Sequence, residues 1–166
     1  MKLSNDEFRK LIIMAPLVAI DLFVVNPKGQ VLLGLRNNEP AQGTWYFPGG
    51  RILKGEYIQS AYERILHDEI GLDNLPRPQY LGIVERMFTK PETGAAGIPT
   101  HYVTLTYSLL INSSEGLKPD SQHSHLAWFD SHQVFTADFV HPDVKEVVGK
   151  ILRAEPVSTF PPPWII

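Results

Sequence analysis

No cysteine occurs in this chain, so a disulfide framework and thiolate metal ligation are both excluded. The charge excess is slight, −3 overall, with charged residues making up 20% of the sequence. A broad basic field of the kind that holds nucleic acid is therefore missing, and any contact with a polyanion falls to a few local arginines. Long hydrophobic runs are missing too. The apolar stretch Leu11 to Ile20 is broken by Pro16 and bordered by Asp6, Glu7 and Asp21. It falls short of the roughly 18 residues that cross a bilayer and lacks the form of a secretory leader. These absences predict a cytoplasmic protein with neither nucleic-acid nor membrane partners.

What is present is 166 residues with 43% apolar content, enough for a single domain spanning 1–166 with its own core. Ser4-Asn5-Asp6-Glu7 ahead of Phe8, Leu11 and Ile12 predicts a capped helix that Pro16 ends. Leu17 to Val25 is β-rich, Asn26-Pro27-Lys28-Gly29 is a turn, and Gln30 to Leu35 completes a hairpin. A polar loop, Arg36 to Thr44, leads to a short strand at Trp45-Tyr46-Phe47 and a turn at Pro48-Gly49-Gly50. Ile58, Ala61, Tyr62 and Ile65 share one helical face, and Gly71 is a natural stop. Tyr80 to Phe88 and His101 to Ile111 predict strands on either side of a Gly- and Pro-containing loop, with a short strand at Leu126 to Phe129 and a helix over Pro142 to Ala154. The tail Phe160-Pro161-Pro162-Pro163-Trp164 can be neither helix nor central strand. Strands interleaved with a few helices predict an α+β fold arranged as an αβα sandwich.

Asp68 and Glu69 fall in the last turn before Gly71. The helix dipole is negative there, so two carboxylates are unfavourable by some tenths of a kcal/mol each, and a bound cation reverses that sign. Two solvated acids, or an i, i+4 pair between Arg64 and Asp68, are the competing reading. Gly49-Gly50 allows the backbone to approach a phosphate closely. Arg51 offers a planar fork suited to phosphate oxygens, and Arg36 is a second candidate; taken alone, Arg36 is equally a solvated arginine. Asp120-Ser121-Gln122-His123-Ser124-His125 reads as a polar loop whose histidines are usually solvated. Imidazole titrates near neutrality, which makes such a histidine a candidate base. His101 is expected to be structural and His67 exposed.

The run Gly49-Gly50-Arg51 through Glu56 to Arg64-Ile65-Leu66-His67-Asp68-Glu69-Ile70-Gly71-Leu72 resembles the Nudix box, a loop-helix-loop that holds a divalent metal on a diphosphate. Gly50, Glu56, Arg64, Leu66, Glu69, Gly71 and Leu72 fit that pattern. Ile65 stands where the box has a glutamate, and Asp68 replaces another. With fewer clustered carboxylates, one metal is expected rather than several. Further similarity runs from Pro16 to about Trp128, through Pro16-Leu17-Val18, Asp21, Leu32-Leu33-Gly34, Arg36, Pro40-Ala41-Gln42-Gly43, Trp45, Pro48 to Arg51, Thr100 to Val103, Pro119-Asp120 and Gln122-His123. These residues look like the GDP-mannose mannosyl hydrolase branch of the Nudix family.

The resemblance implies a Nudix fold with a mixed sheet and a homodimer in which N-terminal segments meet. It implies a GDP-sugar substrate, hydrolysed by water at C1 of the sugar with inversion and release of intact GDP. One Mg²⁺ per subunit, or Mn²⁺ in its place, would be held by the Gly49 backbone oxygen, Glu69 and Gln122. His123 would be the general base, while Asp21, Arg36, Arg51 and Tyr102 would act on the sugar and diphosphate. Glu85-Arg86-Met87-Phe88 and the loop from Lys90 to Thr100 depart from the branch and are expected to shape the base or sugar pocket. Two alternatives stand beside this reading: a pyrophosphohydrolase that attacks phosphorus, and a non-catalytic nucleotide-sugar sensor.

Overall fold

The computed structural model describes residues 4–73, 77–89, 97–112, 117–118 and 123–158. In chain order the elements are α1 (Asn5–Met14), β1 (Leu17–Val25), β2 (Val31–Arg36), β3 (Trp45–Tyr46), β4 (Gly49–Arg51), α2 (Ile58–Ile65), β5 (Gln79–Phe88), β6 (Thr100–Leu110), β7 (His123–Phe129), α3 (Ser131–Thr136) and α4 (Pro142–Leu152). The strands form one sheet in the order β3-β2-β1-β6-β5, with β4 also pairing with β1 and β7 with β2. β1 and β6 run parallel, from Leu17 opposite Tyr102 to Val25 opposite Leu110; the other pairings are antiparallel. The α+β class and the mixed sheet are therefore as expected.

Alternation along β1 explains why helices cover both faces. Ile20, Leu22 and Val24 pack with Leu32 and with Ala61, Tyr62 and Ile65 of α2. Phe23, Val31 and Leu33 point the other way, onto Val144, Val147 and Val148 of α4. α1 lies across one end, where Phe8 and Ile12 bury against Leu17, Ala19 and Tyr102. Its N-terminus is fixed by a Ser4–Glu7 capping box, which satisfies two backbone donors that a helix end leaves open.

Four local differences from the sequence reading matter for the site. Gly49-Gly50-Arg51 is a strand and not a free turn: Gly49 pairs with Asp21 and Gly50 with Ile20. The approach is so close that a Cβ on Gly49 would stand 2.5 Å from the Ile20 carbonyl oxygen. His123 begins β7, opposite Arg36, and does not sit in a polar loop. The residues Leu66–Ile70 form a wider π-helical turn that ends on Gly71 at φ 76°. α3, capped by Asp130 and Gln133, fills a stretch in which no element was expected. The proline-rich tail at 160–164, most of the loop after Lys90, and Gln122 lie outside the described residues.

Candidate active site

Asp21, Arg36, Gly49, Gly50, Arg51 and Tyr102 line one cavity of about 450 Å³. Each arrives by a different route. Asp21 sits mid-strand on the α4 face of β1, buried at a position between the apolar Ala19 and Phe23. Arg36 ends β2, and its amide donates to the Thr44 carbonyl across the following loop. Gly49, Gly50 and Arg51 come from β4, and Tyr102 from β6. The Arg51 guanidinium stacks on the Phe8 ring of α1 at 4.5 Å, a cation–π contact that orders a side chain otherwise free in solvent.

Burial pushes the Asp21 carboxyl up to about 6; Arg86 and Arg36 pull it back part of the way, and Asp143 adds to the rise. Taking a carboxylate out of water disfavours its charged form. A carboxyl with this pKa is ionised at neutral pH yet remains basic enough to accept a proton.

The acids of the box have been dispersed. Glu56 is held by Arg64, whose Nε and Nη2 donate to its two oxygens at 2.7 and 2.9 Å. The Leu53 amide donates to the same carboxylate at 2.8 Å, and Arg64 Nη2 also donates to the Arg51 carbonyl at 2.8 Å. The hydrogen bonds from Arg64 hold the Glu56 carboxyl down at about 2, against a smaller upward push from burial and with help from Leu53. Asp68 is half exposed and stands 3.8 Å from Arg64. Ile65 is fully buried.

Only Glu69 goes inward, at 4% exposure. Its Oε1 lies 3.9 Å from the place a Gly50 Cβ would take, and Ile65 Cγ1 lies 3.1 Å from the same place. Ile65 and Glu69 thus share the face beneath Gly50, behind the cavity wall. On the far side of Glu69, His123 Nδ1 stands 3.3 Å from Oε2. The His123 ring is 2% exposed and fills the space above Gly34, where any Cβ would collide with its Cδ2. The structure therefore brings His123 to Glu69 and not into the cavity.

Among the described residues, no group of three or more histidine or acidic side chains could hold a metal. The donor chemistry still suits one hard cation. A buried carboxylate beside Gly50 matches Mg²⁺, an ion that takes one or two carboxylates and completes its shell with water and phosphate oxygens. The remaining expected ligand, Gln122, lies outside the described residues.

Arg86, which the sequence placed only within a segment expected to shape the base or sugar pocket, also lines the cavity. It is 7% exposed and on β5, opposite Tyr102. Its Nη1 reaches Asp143 Oδ2 at 3.1 Å, and the Tyr46 hydroxyl donates to the same oxygen at 3.1 Å. The signal was legible: alternation in Val84, Arg86 and Phe88 puts an arginine at an inward strand position. The Asp143 end of the contact comes from α4, and pattern alone does not dock a distant helix. His101 and His67 take the expected minor places, pairing with Glu85 at 2.9 Å and Asp73 at 3.0 Å.

Residues 15–150 match the family model described as the NUDIX domain. The chain is 34% identical over 130 residues to the low-salt glycan biosynthesis protein Agl8 of Haloferax volcanii, over 78% of this chain and 80% of that protein. It is 26% identical over 130 residues to an ADP-ribose pyrophosphatase of Methanocaldococcus jannaschii, over 78% of this chain and 70% of that one. The solved MutT protein of Methanosarcina mazei Go1 superposes with a TM-score of 0.69 at 17% identity, over 85% of this chain and 96% of the other. Identity that low speaks to the fold.

Proposed function

The chain belongs to the NUDIX family, and from that membership we propose that it hydrolyses a nucleotide sugar with the help of one divalent metal. GDP-mannose is the leading substrate, with GDP-glucose second. The products are GDP and free hexose, formed by attack of water on the sugar C1 with inversion. One observation carries this reading: the cavity wall holds a carboxylate outside the box, Asp21, beside Arg36 and Arg51, while only one box carboxylate is turned inward. The named role of Agl8 in glycan biosynthesis agrees with a sugar-bearing substrate.

In this reading Gly49, Glu69 and Gln122 would hold Mg²⁺. Bound there, the ion supplies a positive charge against the leaving diphosphate. Arg36 and Arg51 bind the diphosphate oxygens as planar donors. Water forms its bond to C1 as the bond from C1 to the β-phosphate oxygen breaks, and that electron pair leaves on GDP. Asp21 takes the proton from the water. The resemblance gives that proton to His123; the approach of its Nδ1 to Glu69 at 3.3 Å favours instead a role in fixing the carboxylate that would meet the metal. Tyr102 closes the wall beside the sugar. A homodimer belongs to the same proposal, and sedimentation of the free protein tests it.

The ADP-ribose pyrophosphatase likeness favours a second reading, in which water attacks phosphorus and releases a nucleoside monophosphate and a sugar phosphate. Turnover of GDP-mannose in ¹⁸O-water separates the two. Label in the hexose supports attack on carbon; label in a phosphate product overturns it.

A further inference from the structure

We propose that Arg86 is a sugar-recognition residue, whose Nε and Nη2 donate to the hydroxyl oxygens of a neutral hexose in the cavity that also holds Asp21. This deepens the proposed function and rests on it. The departure of Glu85 to Phe88 from the resemblance pointed to a base or sugar pocket without giving Arg86 a role of its own.

The arginine on β5 is buried and only partly used. Arg86 is 7% exposed, and among the described residues its Nε and Nη2 have no hydrogen-bond partner. Buried N–H groups of a guanidinium are costly to leave unmet, more so for a charged group than for a neutral one. Nη1 is engaged by Asp143 at 3.1 Å, and Tyr46 holds that same carboxylate oxygen at 3.1 Å. Among the described residues the fork is thereby anchored at one corner, with Nε and Nη2 open. It lies in the wall between the cavity of Asp21 and a second cavity of about 450 Å³, and lines both.

Charge decides what the open donors take. The second cavity is bordered by Glu85, Asp143 and Glu146, and Asp21 stands in the first. An anionic group at Arg86 would meet these carboxylates at close range, and the charge of Arg86 is already matched by Asp143. Uncharged hydroxyl oxygens accept from the guanidinium without that repulsion. The rings of Phe88 and Tyr102, set edge to face at 5.9 Å, supply an apolar surface of the sort on which the C–H face of a sugar packs. The proposed function assigns Arg36 and Arg51, which line the same cavity, to the diphosphate, and so leaves Arg86 for the sugar.

The test compares binding of GDP-mannose with binding of GDP, by calorimetry with Mg²⁺ on catalytically slow protein carrying Asp21→Asn. Arg86→Lys keeps a positive charge for Asp143 but removes the fork; Arg86→Gln removes both, and thermal melting of each variant reports folding. The expected result is unchanged GDP affinity, with GDP-mannose affinity reduced by about tenfold or more in both variants, the scale of lost hydrogen bonds from a charged group. If a folded Arg86→Lys protein keeps the preference of its parent for GDP-mannose over GDP, Arg86 does not read the sugar. If it loses GDP affinity to the same degree, Arg86 serves the diphosphate or the fold. If the parent itself shows no preference among GDP-mannose, GDP-glucose and GDP, the proposed function falls, and the role of Arg86 with it.

Discussion

Glu56 and Asp21 are both carboxylates within the field of an arginine, and the molecule treats them in opposite ways. Glu56 meets Arg64 head on, through hydrogen bonds of 2.7 and 2.9 Å to its two oxygens, and its carboxyl is held down at about 2. Asp21 is buried on a sheet face where Arg86 spends its direct contact on Asp143, and its carboxyl is pushed up to about 6 by that burial. The first arrangement ties a loop to a helix. The second keeps a carboxylate in a state that favours uptake of a proton. What separates structural from chemical use is therefore whether the arginine saturates the acid, not whether one is near.

The largest effect should come from Asp21→Asn. Activity is expected to fall by about two to four decades in kcat, the usual scale for a general base. Stability should move the other way. Because the folded pKa of Asp21 lies above its ordinary value of 3.8, the fold prefers the protonated form. Its contribution is present below about pH 4 and is lost as pH rises through about 6, at a cost of up to about 2–3 kcal/mol. The variant should thus unfold at higher temperature than wild type at pH 8, with the gap closing at pH 4. A variant less stable at pH 8 would show that the Asp21 carboxylate supports the fold as Glu56 does.

His123→Gln asks whether Glu69 belongs with the saturated or the reactive acids. If Glu69 holds the metal as proposed, loss of the ring beside it is expected to weaken Mn²⁺ binding about 10- to 100-fold, read by the electron spin resonance of the free ion. Unchanged titration together with lost kcat would return the base role to His123. Next in size, Glu56→Gln should cost about 1–2 kcal/mol at pH 7, given the bidentate geometry and partial exposure of the pair. Since the folded pKa of Glu56 is depressed from 4.5 to about 2, that contribution exists above about pH 4.5 and fades as pH falls toward 2. Urea unfolding at pH 7 and pH 3 checks the sign. Asp68→Asn should be smallest, below about 0.5 kcal/mol for a half-exposed pair, with metal titration unmoved; a loss of metal affinity would make Asp68 a ligand.

Much of this was legible in the sequence. The capping box at Ser4, the span of β1 and the stop at Gly71 follow from local chemistry, and local chemistry is what pattern reading captures. Ile65 was also legible, since an apolar residue on the i, i+4 face of Glu69 extends the core stripe it was found in. Other features depend on contacts between distant segments. The burial of His123 requires β7 to run beside β2, which the polarity of Gln122 to His125 conceals. β4 exists because glycine lets its backbone close onto β1, and the same glycines read as a turn when taken alone. Arg86 was visible as an inward charge, but its anchor on α4 was not.

The contact between Gly34 and His123 sets a rule for tolerated variation. Position 34 lies in the opening hairpin, well before the box in sequence, yet a side chain there has no room while His123 is present. An alanine at 34 would displace the imidazole, and the imidazole adjoins Glu69. A mutational scan should therefore find Gly34 as intolerant as a metal ligand, with function recovered by pairing its change with a smaller residue at 123 only where the metal can do without that support. Inherited variants at such a position would look like harmless strand changes and behave as lesions of the proposed metal site.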